Sequence, residues 1–508
     1  MAHLGNTIQA LNNKILGRIF SFNATGCYSD LTTARHTSQV CTSWRQIILD
    51  VPSIWGNLID LGCLLQKSDA WRNEVLHRAG NADLAIHGPI WCITNPEKFV
   101  IAEKFLELLI SNHWTRIYWL DVTFPNFHRP TSWSGACAWR AIESPAPKLT
   151  FFSICFGDDM PSTFSSPSFT LFAHDAPQLT HFKQNHIPID LSKISSSICL
   201  TSLTLDSVSN FNLGIILKTC SQMYLLQSLD LLFGTKPGAS PSLEGPVSQT
   251  DLPLLSSLHI NAELRFSMAF LDHVEPCPGC SLNLLTHDDV SLVPRITADE
   301  FLTIRRIIGK HANNYLCLWS PPRDFLFRSD HQAYFIDIML GEVTVHIRCA
   351  LQVDATPDRP ISALYFDFLK TVDPVYIAGV KEFALISFLV LPFDQQSMDF
   401  FRIAMPDLEE LSITTSSLVK LLEAVEPDFG GFFLQLRKIV WLAEDTVFPD
   451  ITELIERFLT NRQNLGIPIQ EIDLTDWAHR GRTPPISRAL PVWFTRPFVS
   501  SIRLGHSR

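Results

Sequence analysis

The feature that most restricts how this chain can fold is a short pattern, apolar-x-x-apolar-x-apolar, that keeps returning, often just after a proline. It reads Leu149/Phe152/Ile154, Leu200/Leu203/Leu205, Leu226/Leu229/Leu231 and Leu255/Leu258/Ile260. Further along it reads Ile361/Leu364/Phe366, Val380/Phe383/Leu385, Leu408/Leu411/Ile413, Leu436/Ile439/Trp441 and Ile469/Ile472/Leu474. A partial copy starts at Leu179 with Phe182. Two apolar residues two apart have the period of a strand with one buried face. The first positions 200, 226 and 255 are 26 and 29 apart; 380, 408, 436 and 469 are 28, 28 and 33 apart.

That spacing matches the roughly 20–29-residue period of leucine-rich repeats, in which each unit supplies a strand and a helix or irregular return. Helix-like pieces lie between the strands at Met398 to Ala404, Ser417 to Val425 and Ile451 to Leu459. The alternation predicts an α/β solenoid over residues 63–480, each unit burying its face on its neighbours. Residues 262–360 break the period and are expected to form an irregular insertion. There Phe301 to Ile308 is helical in pattern, and Val343, Val345 and Ile347 alternate like an edge or hairpin strand. Loops rich in Pro, Gly and Ser run over Pro161 to Ser168, Thr235 to Thr250 and Gly481 to Ser487, the longest being read as a mobile insertion. Residues 481–508 form a C-terminal tail, and no domain linker is visible after residue 62.

Residues 8–61 give a different signal. Ile8, Leu11, Ile15, Leu16, Ile19 and Phe20 make one helical stripe, and Ala34, Thr37, Val40, Cys41, Trp44, Ile47 and Ile48 a second, stopped by Pro52. Two helices this short need something further to pack against, whether the rest of the chain or a partner. Next, Asp69 to Arg78 is helical, Gly80-Asn81 a stop and Leu84-Ala85-Ile86 strand-like. Asn95-Pro96-Glu97 starts a helix that carries Phe99, Phe105, Leu106 and Leu109 inward. It hands over to a strand, Trp114-x-x-Ile117-x-Trp119. The tryptophans Trp114, Trp119 and Trp441 are expected in the core.

Several function classes drop out. With 40 Lys+Arg against 51 Asp+Glu the net charge is −11, which disfavours a nucleic acid or an anionic membrane surface as partner. The longest apolar stretch, Phe383 to Leu391, is about half the length of a membrane span and is followed by Pro392. No secretory start is visible at the N-terminus, and the 12 cysteines are read as reduced thiols. The expectation is an intracellular protein, cytoplasmic or nuclear. Phosphate-loop, dinucleotide, nucleophile-elbow and zinc-protease signatures are missing, so no enzyme and no cofactor are expected. Cys277-Pro278-Gly279-Cys280, with His273 and His287 nearby, has thiolate and imidazole for zinc but lacks the usual second Cys-x-x-Cys pair. It is read as a turn with two incidental thiols, without metal.

The strongest local pattern is Val40-Cys41-x-x-Trp44-Arg45-x-Ile47, followed by Pro52-x-Ile54-Trp55. It resembles the second half of an F-box, where a Val-Cys-x-x-Trp-Arg helix ends in a Pro-x-Leu-Trp turn. Trp71-x4-Leu76-x-Arg78-x-Gly80-Asn81 and Ser111-x-His113-Trp114-x-x-Ile117-x-Trp119 are similar to the segments that follow it in fungal F-box proteins with degenerate leucine-rich repeats. The resemblance is specific over about residues 8–120 and architectural beyond. It departs at the start of the first helix, where Leu11-Asn12-Asn13-Lys14 stands in place of the usual Leu-Pro-Pro-Glu.

The resemblance implies a substrate-recognition subunit of a Skp–cullin–F-box ubiquitin ligase, with the F-box on a Skp-type adaptor and the repeats on a target protein. Leu11, Ile15, Leu16, Ile19 and Phe20, with Val40, Trp44, Pro52 and Trp55, would then form the adaptor-binding region. Of these, Leu11, Ile15, Leu16 and Ile19 would face the adaptor, and Val40 and Trp44 would pack the helices. The alternative is a non-catalytic repeat scaffold whose degenerate F-box no longer binds the adaptor.

Overall fold

The computed structural model describes residues 11–22, 30–90, 93, 95–124, 139–156, 164, 169–185, 199–206, 212–233, 248–286, 295–318, 324–329, 336–340, 343–348, 352–353, 370, 372–387, 395–425, 432–443, 451–476 and 501–503. The chain divides into two compact units, residues 1–234 with 238–250 and residues 235–237 with 251–508. The division falls in the Thr235–Thr250 stretch, where the sequence showed a loop and no linker. The triplet Ile361/Leu364/Phe366 and residues 477–500 lie outside the described residues.

The first unit opens with four short helices, α1 (Asn13–Phe22), α2 (Asp30–Thr37), α3 (Thr42–Leu49) and α4 (Pro52–Asn57). The expected single stripe from Ala34 to Ile48 is therefore broken. Ser38 to Val40 turn the chain between α2 and α3, and the Arg45 Nε donates to the Ser38 carbonyl across that turn at 3.0 Å. Strands and helices then alternate: β1 (Ile59–Asp60), α5 (Ala70–Ala79), β2 (Leu84–Pro89), α6 (Pro96–His113), β3 (Ile117–Thr123), β4 (Phe151–Cys155), β5 (His181–Asn185), β6 (Ser202–Asp206), α7 (Leu213–Cys220) and β7 (Ser228–Leu232). Asn95 caps α6 as its sequence predicted, its side chain accepting from the Glu97 and Lys98 amides. Gly80 ends α5 at φ +49, a conformation that favours glycine.

Each strand from β1 to β7 pairs parallel with the next in sequence. The register places Leu120, Phe152, Phe182, Leu203 and Leu229 in one row across the ladder, all buried. The triplets of the sequence are thus the rungs of a leucine-rich-repeat-like ladder. Two features join the helices to it. Ile59 pairs with Ile86, and the Trp55 indole, buried, donates to the Ile48 carbonyl at 2.8 Å while resting against Trp71 and the Arg78 guanidinium. Gly56 allows that approach, since a Cβ there would stand 2.3 Å from the Asp83 carbonyl oxygen.

A second set of bonds joins successive repeats just before each strand. The Thr150 amide and hydroxyl both donate to the Tyr118 carbonyl, those of Thr180 to the Thr150 carbonyl, and those of Thr201 to the Thr180 carbonyl, all within 2.8–3.1 Å. Threonine suits this place because its hydroxyl adds a second donor to a carbonyl that the next repeat already uses.

The sequence continues with β8 (Thr250–Leu252), β9 (Ser257–Asn261), α8 (Leu264–His273), β10 (Val274–Pro276), β11 (Ser281–Leu285), β12 (Arg295–Ile296), α9 (Ala298–Leu316), β13 (Asp324–Ser329), β14 (Ile336–Leu340), β15 (Val343–Arg348) and β16 (Gln352–Val353). It ends with α10 (Pro374–Ile377), β17 (Glu382–Ser387), α11 (Gln395–Ala404), β18 (Glu410–Thr414), α12 (Thr415–Val425), β19 (Lys438–Leu442), α13 (Thr452–Asn464), β20 (Glu471–Asp473) and β21 (Ser501–Arg503). In the second unit β17, β18, β19, β20 and β21 form a parallel run in which Phe383, Leu411, Ile439 and Ile472 share a row. The break in period is narrower than 262–360. β9 and β11 still pair parallel, Leu258 beside Leu282, and among the described residues the antiparallel departure is confined to β13, β14 and β15. The repeat at β11 escaped the pattern because Gly279 occupies its first apolar position.

One buried cation anchors the last helix. Arg462, fully buried on α13, donates to the Ile467, Phe432 and Leu436 carbonyls at 2.9–3.1 Å. Burial pulls its guanidinium down to about 10, so it remains charged at neutral pH. Among the described residues no helix is long and apolar enough to cross a membrane.

Two substitutions test this packing by denaturant unfolding. Gly56→Ala is expected to destabilise the first unit by about 1–3 kcal/mol through forced displacement of the Asp83 backbone. Arg462→Met is expected to lose on the order of 1–3 kcal/mol for each carbonyl left unpaired. Glu456→Gln, exposed on the same helix, should change stability by less than about 0.5 kcal/mol.

Candidate functional site

Helix α1 is apolar on two sides. Leu16, Gly17 and Phe20 are buried; Phe20 meets Trp44 edge to face at 5.1 Å, and Gly17 lies against Ile47. On the other side Ile15, Ile19 and Phe22 are 48%, 42% and 76% exposed, and Leu11, just ahead of the helix, is 36% exposed. Spacings of four and three put Ile15, Ile19 and Phe22 on one face of the helix, with Leu11 just ahead of it. A face of that kind, left open by the chain's own core, marks a docking surface more often than chance exposure.

This corrects part of the expected site. Leu16, Phe20 and Trp55 are core residues, at 4%, 5% and 3% exposure, and cannot face a partner. Val40 is 62% exposed in the α2–α3 turn and is not a core residue of the helices, because the helical stripe it was assigned to ends at Thr37. Trp44 is half-buried against Phe20, and Pro52 is exposed at the first position of α4. The residues left open are therefore Leu11, Ile15 and Ile19, joined by Phe22, which the sequence reading had not singled out. Phe22 continues the same stripe and was legible from its spacing.

The ladder of the first unit carries a second surface. Strand residues of opposite parity to the buried rows face outward, and the register aligns Trp119, Phe151 and His181 across β3, β4 and β5. Trp119 and Phe151 stack at 3.9 Å and 8°, Phe151 and His181 at 5.8 Å, and His87 flanks Trp119 at 5.9 Å. Trp119 is half-buried on this outward side. The expectation that it lies in the core therefore fails, while Trp114 and Trp441 are buried as expected. The reason is a register shift between Leu84 and Ala85: Ile117 stays buried opposite Leu84, but Leu120 and Val122, and not Trp119, continue the inward row of β3. In the second unit the corresponding row is charged: Glu382, Glu410, Lys438 and Glu471, with Lys438 paired to Glu410 at 2.8 Å.

Cys155 on β4 receives a hydrogen bond from Asn185 Nδ2 at 2.8 Å, and Asn185 also donates to Asp206. Burial, helped by the Asp206 charge, pushes the Cys155 thiol up to about 11, so it is protonated at neutral pH and is a poor nucleophile. Among the described residues no three His, Cys, Asp or Glu side chains cluster so as to hold a metal ion.

No family model matches this chain. No curated protein matches it either. Among solved structures it is similar to the leucine-rich repeat-containing protein LegL7 from Legionella pneumophila, at 10% identity over 70% of this chain and 90% of that one, with a TM-score of 0.26. Similarity at that level carries no functional argument, and the repeat assignment rests on the ladder's own register.

The two sides of α1 predict opposite outcomes for one kind of change. Leu16→Asp is expected to destabilise the first unit by roughly 3–5 kcal/mol, by cavity and buried charge together. Ile15→Asp should stay within about 0.5 kcal/mol of the native chain in the same urea titration.

Proposed function

We propose that this chain is the substrate-recognition subunit of a Skp–cullin–F-box ubiquitin ligase, docking on a Skp-type adaptor through α1–α4 and holding a target protein on its repeats. The observation that carries the reading is the open apolar face of α1, Ile15, Ile19 and Phe22 with exposed Leu11 just ahead, on a helix whose other side is already packed. The Val-Cys-x-x-Trp-Arg and Pro-x-Ile-Trp resemblance supports it independently. In this reading the chain makes and breaks no bonds. It raises the effective concentration of a target lysine beside a ubiquitin-charged enzyme held in the same assembly. The solvent face of the ladder, with its Trp119–Phe151–His181 stack, supports the assignment of the target to the repeats.

A scaffold without adaptor binding is the second reading, favoured by the altered start of α1. Asn12 accepts from the Lys14 amide at 2.9 Å, so an asparagine cap stands where the family has prolines. Proline at 13 would fall at the first helical position, which tolerates it, whereas proline at 12 would remove that cap.

Purified chain and Skp-type adaptor decide between them. The native chain is expected to co-elute with the adaptor, and Ile15→Glu with Ile19→Glu to abolish co-elution without altering the unfolding midpoint. Asn13→Pro should strengthen binding. No binding by either the native chain or the Asn13→Pro variant would leave the scaffold reading in its place.

A further inference from the structure

The Cys277-Pro278-Gly279-Cys280 tetrapeptide is a closed turn between β10 and β11. The Cys280 amide donates to the Cys277 carbonyl at 3.0 Å, and Gly279 sits at φ +80, the value the third residue of a type II turn requires. Proline at the second position and glycine at the third preorganise that shape before any contact is made. A turn so closed brings its end Cα atoms within ~7 Å. A disulfide takes Cα atoms about 4.4–6.8 Å apart.

The turn is also held from outside. The Gly279 amide donates to the Asn314 carbonyl at 2.9 Å, and Asn314 Nδ2 donates to the Pro276 and Cys277 carbonyls, each at 3.0 Å. Asn314 lies near the end of α9, and ion pairs Arg306–Asp272 and Lys310–Glu275 clamp that helix to the segment entering the turn. A third thiol is close in sequence to this contact: Cys317, exposed, points its Sγ at the Asn314 carbonyl oxygen at 3.0 Å. The two turn cysteines differ in access, Cys277 half-buried and Cys280 buried. Burial, with the Cys277 charge adding to it, pushes the Cys280 thiol up to about 12.

We propose that Cys277 and Cys280 are a thiol-oxidation site that forms a reversible intra-turn disulfide, with Cys277 as the attacking sulfur and Cys280 as the resolving one. The oxidant is a small-molecule disulfide of the glutathione class. The Cys277 thiolate attacks one of its sulfurs, breaking the S–S bond and releasing one thiolate. The Cys280 sulfur, losing its proton to solvent, then attacks Cys277 in the mixed disulfide and releases the second thiolate. Two protein thiols are oxidised, one external disulfide is reduced to two thiols, and the two protons lost by the protein are taken up by the leaving groups. Access sets the order, because an external disulfide must reach the attacking sulfur first. This inference is independent of the ligase reading.

The test is equilibration of the full chain in mixtures of reduced and oxidised glutathione, followed by alkylation of the remaining thiols and peptide mass mapping. The native chain is expected to lose two hydrogens within the 277–280 peptide, reversed by excess reduced glutathione. Cys280→Ser should trap glutathione on Cys277, Cys277→Ser should leave Cys280 unmodified at the same oxidant level, and Cys317→Ser should leave the intra-turn bond intact. Circular dichroism melts of the three variants confirm that each is folded. A Cys277–Cys317 bond in the native chain, a stable glutathione adduct on Cys277 with Cys280 free, or no change at any ratio would each overturn the proposal.

Discussion

In the first unit, β4 to β7 depend on how one repeat grips the carbonyl of the repeat before it. The residue ahead of each strand donates its amide, and in Thr150, Thr180 and Thr201 its hydroxyl too, to a single carbonyl one repeat back. A slip by one residue would break both bonds and turn every buried side chain outward. Register is therefore fixed at the strand entrance, and the rows of leucine and phenylalanine follow from it. In the second unit Ser281 repeats the double grip on the Ser256 carbonyl, while the later strands are held by backbone amides, those of Glu409 and Glu410 on the Lys381 carbonyl and of Arg437 and Lys438 on the Glu409 carbonyl. Side-chain pairs Lys381–Glu409 and Lys438–Glu410 lie beside them on the surface.

Fixed register also decides which side chains are free to bind. Because alternate residues face opposite ways, a row buried in all repeats implies an outward row whose composition the core does not dictate. In the first unit that row is aromatic over three consecutive strands, and in the second it is charged. Cross-strand pairs stabilise a sheet modestly, by roughly 0.2–1 kcal/mol each. Parallel pairing forms in both units, so the composition of the outward row does not decide it.

The N-terminal helices obey the same economy of surface. α3 and α4 bury Ile47, Ile48, Ile54 and Trp55, and Gly56 brings α4 against the Asp83 backbone. The inner side of α1 completes that core with Leu16 and Phe20. Nothing in the described residues of this core requires Ile15, Ile19 or Phe22, which is why the open face bears on function.

Much of this was legible in the sequence, and the failures have physical causes. The repeated triplets, the caps at Asn95 and Gly80, the hairpin at Val343 to Ile347 and the helical start followed from local periodicity and backbone preference, which do not depend on distant residues. Threonine at the strand entrance was visible too, as Leu-Thr-x-apolar at 149, 179 and 200, but its partner carbonyls lie about twenty to thirty residues away in sequence. What only the tertiary structure decided is side and register. Periodicity shows that Leu11, Ile15, Leu16, Ile19 and Phe20 are apolar, while packing against Ile47 and Trp44 divides them into an inner and an outer face. It likewise took the shift between Leu84 and Ala85 to move Trp119 out of the core, and the Asn314 bonds to tie the Cys277–Cys280 turn to α9. A side chain's chemistry is a property of its residue, but its neighbours are a property of the fold.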